Sequence, residues 1–302
     1  MKRIILSMVM AALAILFVLE ISMEQIFVSK RQETAETMAD IQQTAAVEEI
    51  ETPEIYALFG VDAQEGEVGR SDCILLLSLE GNTLRMCSLA RDTMVTIAGT
   101  DTETKLGHAY ALGGPEGAME TINENFGLDI TEYTAVNFDQ LEEIVDLLGG
   151  VEVPLTQEEW NYMGLGQPYL GTRRLSGEEA LTYCRIRSID NDDMRTGRQR
   201  TLITAMLSSV QDMPRSKLPE LAIEGMKMCR TNLTLPDILR LGKAVMGERD
   251  NMRTESLSIP GEAVSAWGGI RDDGVWYYVY DLERASEVVH DFFYGSSTGT
   301  AT

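Results

Sequence analysis

The stretch Cys73-Ile-Leu-Leu-Leu-Ser-Leu-Glu-Gly-Asn-Thr-Leu-Arg-Met-Cys-Ser-Leu89 holds two apolar runs of strand length, one on each side of a short turn. The runs cover residues 73–79 and 84–89. The Gly-Asn pair between them is typical of a tight turn, so the stretch predicts a β-hairpin. A further apolar run of similar length covers residues 55–61. The sequence therefore predicts that strands begin the folded part of the chain.

Helical spacing of apolar residues follows along much of the remaining sequence. It occurs at residues 117–126, 140–148, 195–210, 217–229, 236–246 and 282–293, and one more strand-like run covers residues 275–280. Strands and helices mixed on this scale predict a layered α/β domain. We place it at residues 54–294 as one domain, because no repeat or Pro/Gly-rich break divides that segment. Residues 295–302 form a small polar tail that we expect to be flexible.

The N-terminal segment has the features of a membrane anchor. Lys2 and Arg3 precede an uncharged apolar run at residues 4–19, which extends to Met23 if Glu20 lies at the interface. About 20 such residues cross a bilayer, and a basic pair belongs on the cytoplasmic side. Residues 1–23 thus predict a cytoplasmic start and one transmembrane helix, with the domain outside the cytoplasm. A cleaved signal peptide is the alternative, but no small-residue cleavage site follows the apolar core.

The chain is strongly acidic, with a formal net charge of −23. Residues 32–54 contain seven acidic side chains and no basic one. A segment of this composition buries too little apolar surface to fold, so we expect residues 24–53 to be an extended acidic linker. The overall charge also argues against a nucleic-acid partner, which prefers basic surfaces.

Arginines nevertheless concentrate near residue 190. Arg185 and Arg187 would share one face if residues 181–187 form a strand, because alternate strand residues point the same way. Guanidinium groups match phosphate oxygens, so the cluster indicates a phosphate-binding site. The alternative is an exposed polar strand face.

A predicted helix then continues this cationic surface. It can begin at Asp192 or Asp193, which are both good N-caps. Arg195, Arg198 and Gln199 then fall on one face of its first turns, where the N–H groups and the helix dipole also attract an anion. Surface Arg–Asp pairs are the alternative interpretation of this segment.

Two aspartates stand near the predicted strand ends at the front of the domain. Asp62 follows the first apolar run, and Asp72 comes directly before the second. Ligands of α/β sheets usually bind at strand ends, and two carboxylates there suit Mg²⁺. Arg91 and Asp92 follow the third run and would add a guanidinium at the same edge. Each residue also has a simpler explanation as a turn, cap or local ion pair.

The cysteines and histidines show no metal-binding pattern. Cys73, Cys87, Cys184 and Cys229 are widely spaced, without a pattern suited to zinc. We expect free thiols among apolar neighbours, although a disulfide is chemically permitted outside the cytoplasm. His108 and His290 lie far apart, and we expect packing or surface roles for both.

The order of these features resembles one protein family. The motifs are Gly60-Val-Asp62, Arg70-Ser-Asp72, Ser88-x-x-Arg91-Asp92, Lys105 with His108-Ala-Tyr110 and Gly113-Gly114, Asp139, Val145-Asp146 with Gly149-Gly-Val-Glu-Val153, Leu175-x-Gly177-x-x-Ala180-Leu-x-Tyr183, and Arg185-x-Arg187 through Arg198-Gln199. This ordered set resembles the LytR-CpsA-Psr family of bacterial cell-wall proteins, from about residue 55 to 210. One membrane anchor before an outward domain also resembles the arrangement of that family.

The resemblance implies a fold and an activity. The fold is a layered α/β/α domain with a mixed central β-sheet flanked by helices, outside a bacterial cell membrane. The activity is a Mg²⁺-dependent phosphotransferase. It takes an anionic glycopolymer, such as teichoic acid or capsule, from undecaprenyl pyrophosphate and attaches it to peptidoglycan through a phosphodiester, releasing undecaprenyl phosphate. A hydrophobic tunnel for the prenyl chain is expected beneath the pyrophosphate.

Roles for individual residues follow from the same resemblance. Asp62 and Asp72 would bind Mg²⁺, and Arg91, Asp92 and Asp192 would be catalytic. The residues implied at the pyrophosphate are Arg70, Arg91, Arg185, Arg187, Arg195, Arg198, Gln199 and Lys105. The general base stays open between Asp92 and Asp192.

The chain departs from the family pattern at three positions. Ala90 stands where a proline is common, which predicts a looser turn before Arg91. Gly107 replaces a frequent asparagine, and Met194 replaces a frequent glycine.

Two other functions remain open: a receptor that binds the lipid pyrophosphate or polymer without turnover, and a hydrolase of the lipid pyrophosphate. The sequence does not distinguish among the glycopolymers.

Overall fold

The computed structural model describes residues 53–63, 69–189, 192–247 and 251–295, without the side chains of Asp192 and Asp193. The predicted anchor, almost all of the predicted linker and the tail after Gly295 lie outside these ranges. Within the described ranges, no helix has both the length and the apolar character needed to cross a bilayer.

Strands and helices alternate along the described chain. In chain order they are β1 (Tyr56–Asp62), β2 (Arg70–Glu80), β3 (Thr83–Leu89), β4 (Met94–Thr96), β5 (Glu103–Lys105), α1 (Leu106–Phe126), β6 (Glu132–Asn137), α2 (Phe138–Leu147), β7 (Val151–Pro154), α3 (Gln157–Tyr162), β8 (Thr172–Leu175), α4 (Gly177–Cys184), α5 (Asp192–Asp212), α6 (Leu218–Lys227), β9 (Arg230–Thr231), α7 (Leu235–Gly247), β10 (Arg253–Ile259), β11 (Trp267–Ile270), β12 (Trp276–Val279) and α8 (Leu282–Tyr294).

A six-stranded mixed sheet forms the centre, in the order β10-β3-β2-β1-β6-β9. The predicted hairpin is confirmed: β2 and β3 are antiparallel, and Glu80 pairs with Thr83 across the turn. β1 is antiparallel to β2 and parallel to β6. Because Asp62 ends β1 and pairs with Arg70 at the start of β2, their side chains lie at one edge of the sheet.

Helices cover both faces of this sheet, as the layered α/β prediction requires. Alternate strand residues point to opposite faces. Phe59 of β1 therefore packs in the core that includes Phe126 of α1 and Phe293 of α8. Leu75 of β2 packs on the other face, against Ile203 of α5. A second core joins α2, α4 and α5 to the β7–β8 hairpin and includes fully buried Val151, Leu175 and Ile186.

The prediction of a strand at residues 181–187 is wrong. This segment contains the end of helix α4 and the turn that follows it. Ser176 caps α4: its hydroxyl accepts from Glu179 N, and the Glu179 carboxylate accepts from Ser176 N, which satisfies two free N–H groups. The helix then buries Ala180 and Tyr183 in the second core. Arg185 is the C-cap residue of α4 rather than a strand residue, and Arg187 follows in the loop.

The other predicted helices are confirmed to within a few residues, with one exception. The helix predicted at residues 117–126 begins at Leu106 and is kinked at Gly114, whose φ of 67° suits glycine. The sequence prediction omitted strands β4 to β11, among them β6, β9 and β10 of the central sheet. The four cysteines are all free.

Candidate functional site

A cavity of about 590 Å³ opens at the sheet edge where β1 ends and β2 begins. It lies between the sheet and helices α2, α4 and α5. Its lining residues are Leu58, Gly60, Asp62, Gly69, Arg70, Asp72, Cys73, Arg91, Val136, Asn137, Phe138, Leu141, Leu181, Cys184, Arg185, Arg187, Arg195, Gln199, Leu202 and Ile203. The structure thus brings eight of the predicted site residues to one cavity.

One part of the cavity lining is apolar. Leu58 comes from the sheet, Leu141 from α2, Leu181 from α4, and Leu202 and Ile203 from α5. On α5, Leu202 and Ile203 follow Arg195 by about two helical turns and Gln199 by about one, so one helix face changes from polar to apolar. The cavity therefore combines a charged region with an apolar one, as expected of a site for a lipid with an anionic head.

Five arginines supply the charged region, and they come from distant parts of the chain. They are Arg70, Arg91, Arg185, Arg187 and Arg195. Asp72 draws two of them together: its carboxylate is 2.5 Å from Arg91 Nη1 and 3.4 Å from Arg187 Nη2. Asp72 thereby pre-orients both guanidinium groups at the cavity mouth.

Arg185 is held by an aromatic side chain that the sequence reasoning missed. Its guanidinium lies 4.6 Å from the centre of the Phe138 ring, a cation–π contact. Phe138 begins α2 directly after Asn137, which caps that helix with Gln140. The Asn-x-x-Gln cap and the β-forming run before it were readable signals. Together they would have placed an aromatic residue at the end of a strand.

A smaller pocket of about 110 Å³ adjoins the cavity and shares Arg70, Asp72 and Arg91 with it. Asp92, Lys105 and His108 also line it. Asp92 is 2.5 Å from Lys105 Nζ and 3.3 Å from Arg91 Nε. Predicted residues Asp92 and Lys105 thus lie beside the main cavity rather than in it.

Arg198 does not join the other arginines. It is almost completely buried, its Nε is 2.7 Å from the Glu159 carboxylate, and its Nη1 donates to Ile186 O at 3.0 Å. A buried carboxylate needs such a partner, so the predicted pyrophosphate contact gives way to a structural ion pair. By donating a hydrogen bond to Ile186 O, Arg198 holds the backbone between Arg185 and Arg187 in place. Asp192 begins α5, but its side chain lies outside the described part of the structure.

The residues predicted to bind a metal fit Mg²⁺. Asp62 and Asp72 both line the cavity and supply hard oxygen donors. Mg²⁺ commonly takes one or two carboxylates and completes its coordination with phosphate oxygens and water. Among the described residues, no group of three or more His, Cys, Asp or Glu side chains could hold a metal ion. Asp72 also pairs with Arg91 and Arg187, so a cation bound there would share its carboxylate with these arginines.

Burial disfavours the charged forms of the thiols and the imidazole at this site. Burial raises the pKa of Cys73 to about 11, which outweighs the opposing effect of Arg195. Burial also raises the pKa of Cys184, so neither thiol ionises to a nucleophile. Burial, followed by the charges of Arg70 and Lys105, lowers the pKa of His108. The cations at the site are thus arginines and lysine.

Comparison with known proteins identifies the family. The model of the LytR_cpsA_psr family matches residues 22–292. The chain belongs to the LytR-CpsA-Psr family. A relative from Oceanobacillus iheyensis, named polyisoprenyl-teichoic acid–peptidoglycan teichoic acid transferase TagU, is 31% identical over 76% of this chain and 72% of its own.

Solved structures of LytR-CpsA-Psr proteins share the fold. The crystal structure of B. subtilis TagT is similar over 82% of this chain and 93% of its own, with a TM-score of 0.64 and 24% identity. TagT with bound octaprenyl pyrophosphate lipid is similar over 80% and 91%, with a TM-score of 0.61 and 23% identity. The mixed sheet flanked by helices is therefore the family architecture.

Two of the three departures from the LytR-CpsA-Psr pattern, Ala90 and Gly107, have local explanations. Ala90 N donates to Ile259 O at 2.8 Å, a hydrogen bond that a proline would lack, so the turn before Arg91 is held in place. Gly107 N donates to Arg91 O at 2.8 Å. A Cβ at Gly107 would lie 2.7 Å from a backbone oxygen of β2, so only glycine fits there without a shift. These contacts fix the backbone of Arg91.

Proposed function

We propose that this chain is a phosphotransferase that moves an anionic glycopolymer, such as teichoic acid or capsule, from undecaprenyl pyrophosphate to peptidoglycan. The observation that carries the proposal is the single cavity in which five arginines meet an apolar wall. Arginines match the oxygens of a diphosphate, and the wall suits the start of a prenyl chain. Relatives named as teichoic acid transferases and a family structure with a bound polyprenyl pyrophosphate support the same function.

The proposed reaction is a displacement at phosphorus. A peptidoglycan hydroxyl, which we assign to C6 of a muramic acid residue, attacks the phosphorus that carries the glycopolymer. The new P–O bond completes a phosphodiester, and the bond to the bridging oxygen breaks. Undecaprenyl phosphate leaves with that oxygen and its electron pair, while the hydroxyl proton passes to a base. Such transfers are catalysed mainly by positioning and by offsetting charge.

The arginines of the cavity position the phosphoryl groups and offset their charge. Arg91 and Arg187 are already oriented by Asp72, so they meet the incoming phosphoryl oxygens with little reorganisation. Arg185, stacked on Phe138, and Arg195, at the start of α5, approach from the helical side. Charge that develops on the departing phosphate therefore meets preformed donors.

We further propose that Asp62 and Asp72 hold Mg²⁺ during turnover. The ion would offset phosphoryl charge and help to orient the leaving group. Asp92 and Asp192 are our candidates for the general base. Asp92 is in contact with Lys105 and Arg91, so its carboxylate also holds two cations at the smaller pocket.

We propose a location to match this substrate. Residues 1–23 would anchor the chain in the bacterial membrane, and the acidic linker at residues 24–53 would let the domain reach lipid carriers and wall outside the cytoplasm. A tryptic digest of intact, unpermeabilised cells that leaves the domain uncleaved would contradict this location.

One experiment separates transfer from its alternatives. The purified protein is incubated with Mg²⁺, a polyprenyl-pyrophosphate-linked saccharide and a peptidoglycan oligomer, and the products are followed by mass spectrometry. We expect a phosphodiester-linked adduct together with polyprenyl phosphate. Polyprenyl phosphate without the adduct would indicate a hydrolase, and unchanged substrate with measurable binding would indicate a receptor.

A further inference from the structure

The β11–β12 hairpin exposes tryptophans on both of its faces. Trp267 is 54% exposed and Trp276 is 38% exposed. The register pairs Gly269 with Tyr277, so Trp267, Gly269 and Tyr277 share one face, because alternate strand residues point the same way. Trp276 lies on the opposite face, where its ring packs against Tyr278 with centroids 4.6 Å apart.

The Trp267 ring rests on backbone. A Cβ built on Gly269 would lie 2.5 Å from Trp267 Cζ3, so the ring occupies the space that a side chain at 269 would fill. The Trp267 ring covers Gly269 with one edge, while more than half of the surface of Trp267 stays exposed. Two adjacent glycines in the sequence Trp-Gly-Gly thus leave an aromatic surface open to a ligand.

This face of the hairpin is turned toward the smaller pocket. The Tyr277 ring lies under Lys105, whose Nζ is 5.9 Å from the ring centre. Lys105 in turn contacts Asp92, and Tyr278 N donates to Asp92 O at 2.9 Å. Trp267 therefore lies on the hairpin face that approaches the Asp92 pocket through Tyr277 and Lys105.

We propose that Trp267 is a stacking site for the glycan strand of the peptidoglycan acceptor, extending the smaller pocket along β11–β12. This inference rests on the proposed function. The C–H face of a pyranose ring packs against exposed aromatic surfaces, and tryptophan offers the largest one.

The charge of the hairpin argues for this occupant. Its exposed turn carries one arginine, Arg271, and two aspartates, Asp272 and Asp273, a net charge of −1, in a chain of net charge −23. Carboxylates repel an anionic glycopolymer and an anionic lipid surface. Asp273 already accepts from Val275 N and from the Tyr277 hydroxyl, whereas exposed Asp272 and Arg271 offer an acceptor and donors to sugar hydroxyls. A turn with no net positive charge therefore suits a glycan strand better than either polyanion.

Direct binding tests the proposal without requiring turnover. The full chain in detergent is titrated with a polymer-free peptidoglycan glycan oligomer by isothermal titration calorimetry. We expect Trp267→Ala to weaken binding at least about fivefold, the loss of one aromatic contact. Trp276→Ala, on the opposite face, is the matched control and should stay within about twofold. Gly269→Ala keeps the tryptophan but displaces its ring, so it should weaken binding in the same direction.

The other outcomes would overturn the stacking site. Unchanged affinity in Trp267→Ala would do so, as would equal losses in both tryptophan variants. A dimer that Trp267→Ala dissociates without loss of glycan binding would assign this face to a second copy of the chain. Transfer is measured separately on the same samples. If the unsubstituted chain shows no transfer but Trp267→Ala selectively loses glycan binding, only the proposed function is rejected. Normal transfer with equal binding in all variants would reject the stacking site alone.

Discussion

Replacing Arg198 by methionine tests whether this arginine belongs to the fold or to the substrate site. Its guanidinium and the Glu159 carboxylate are 2.7 Å apart, and their side chains are only 2% and 7% exposed. Removing one partner of a buried pair leaves an uncompensated charge and costs about 3–5 kcal/mol. In a domain of about this size, 1 kcal/mol corresponds to about 2–4 °C in Tm. We therefore expect Arg198→Met to lower Tm by about 6–20 °C.

The measurement is thermal unfolding followed by circular dichroism, with Arg185→Met as the matched control. Arg185 is exposed at the cavity, so its loss should leave Tm within about 2 °C while weakening the binding of a polyprenyl pyrophosphate. The double variant Arg198→Met with Glu159→Leu should recover most of the lost stability, because apolar replacement of a whole buried pair is often neutral.

A normal Tm in Arg198→Met, combined with lost lipid binding, would refute the structural assignment. It would return Arg198 to the pyrophosphate, as the sequence resemblance implied. Failure of the double variant to recover stability would show that the Ile186 contact, rather than the ion pair, carries the effect.

Three further perturbations test the site and its surroundings. Arg91→Ala should reduce turnover at least about tenfold with an unchanged circular dichroism spectrum, and a normal rate would remove Arg91 from the mechanism. The hydrogen bond from the Tyr133 hydroxyl lowers the pKa of Glu116 below its ordinary 4.5, so this carboxylate stabilises the fold above that pH and the contribution is lost as pH falls through the lowered value. Glu116→Gln should thus be less stable than the unsubstituted chain in urea at pH 7, with the difference closing in acid; a difference independent of pH would contradict this. Gly177→Ala should destabilise the cavity wall, since its Cβ would lie 2.3 Å from a carbonyl oxygen of α2, whereas Gly225→Ala meets open space and should not; similar urea midpoints for the two would refute the packing argument.

The sequence was most informative where local signals agree. The Gly-Asn turn and its flanking apolar runs predicted the β2–β3 hairpin, because hairpin register is set by the turn itself. Residues 181–187 misled because the alternation of arginines with Cys184 and Ile186 imitates a strand. The Ser-x-x-Glu capping signature at Ser176 was the better signal.

The sequence predicted which residues belong to the site better than it predicted the contacts that they make. The ordered motifs assigned Asp72 and Arg187 to the same predicted site, and the structure places them in contact. Arg198 has the same chemistry as Arg195 and lies on the same helix, yet it pairs with Glu159, 39 residues away in sequence. No local pattern reveals such a partner, since burial of a charge depends on the packed core around it.

The Asp72–Arg187 ion pair also has a consequence for biogenesis. Its two residues are 115 positions apart, so nearly half of the domain must be ordered before they meet. Closing so long a loop is entropically unfavourable, and contacts of this kind form late during folding. A nascent or truncated chain that ends before Arg187 would therefore lack this pair at the cavity. A cavity in which Asp72 holds both Arg91 and Arg187 thus indicates that the chain has folded at least from β2 to the loop after α4.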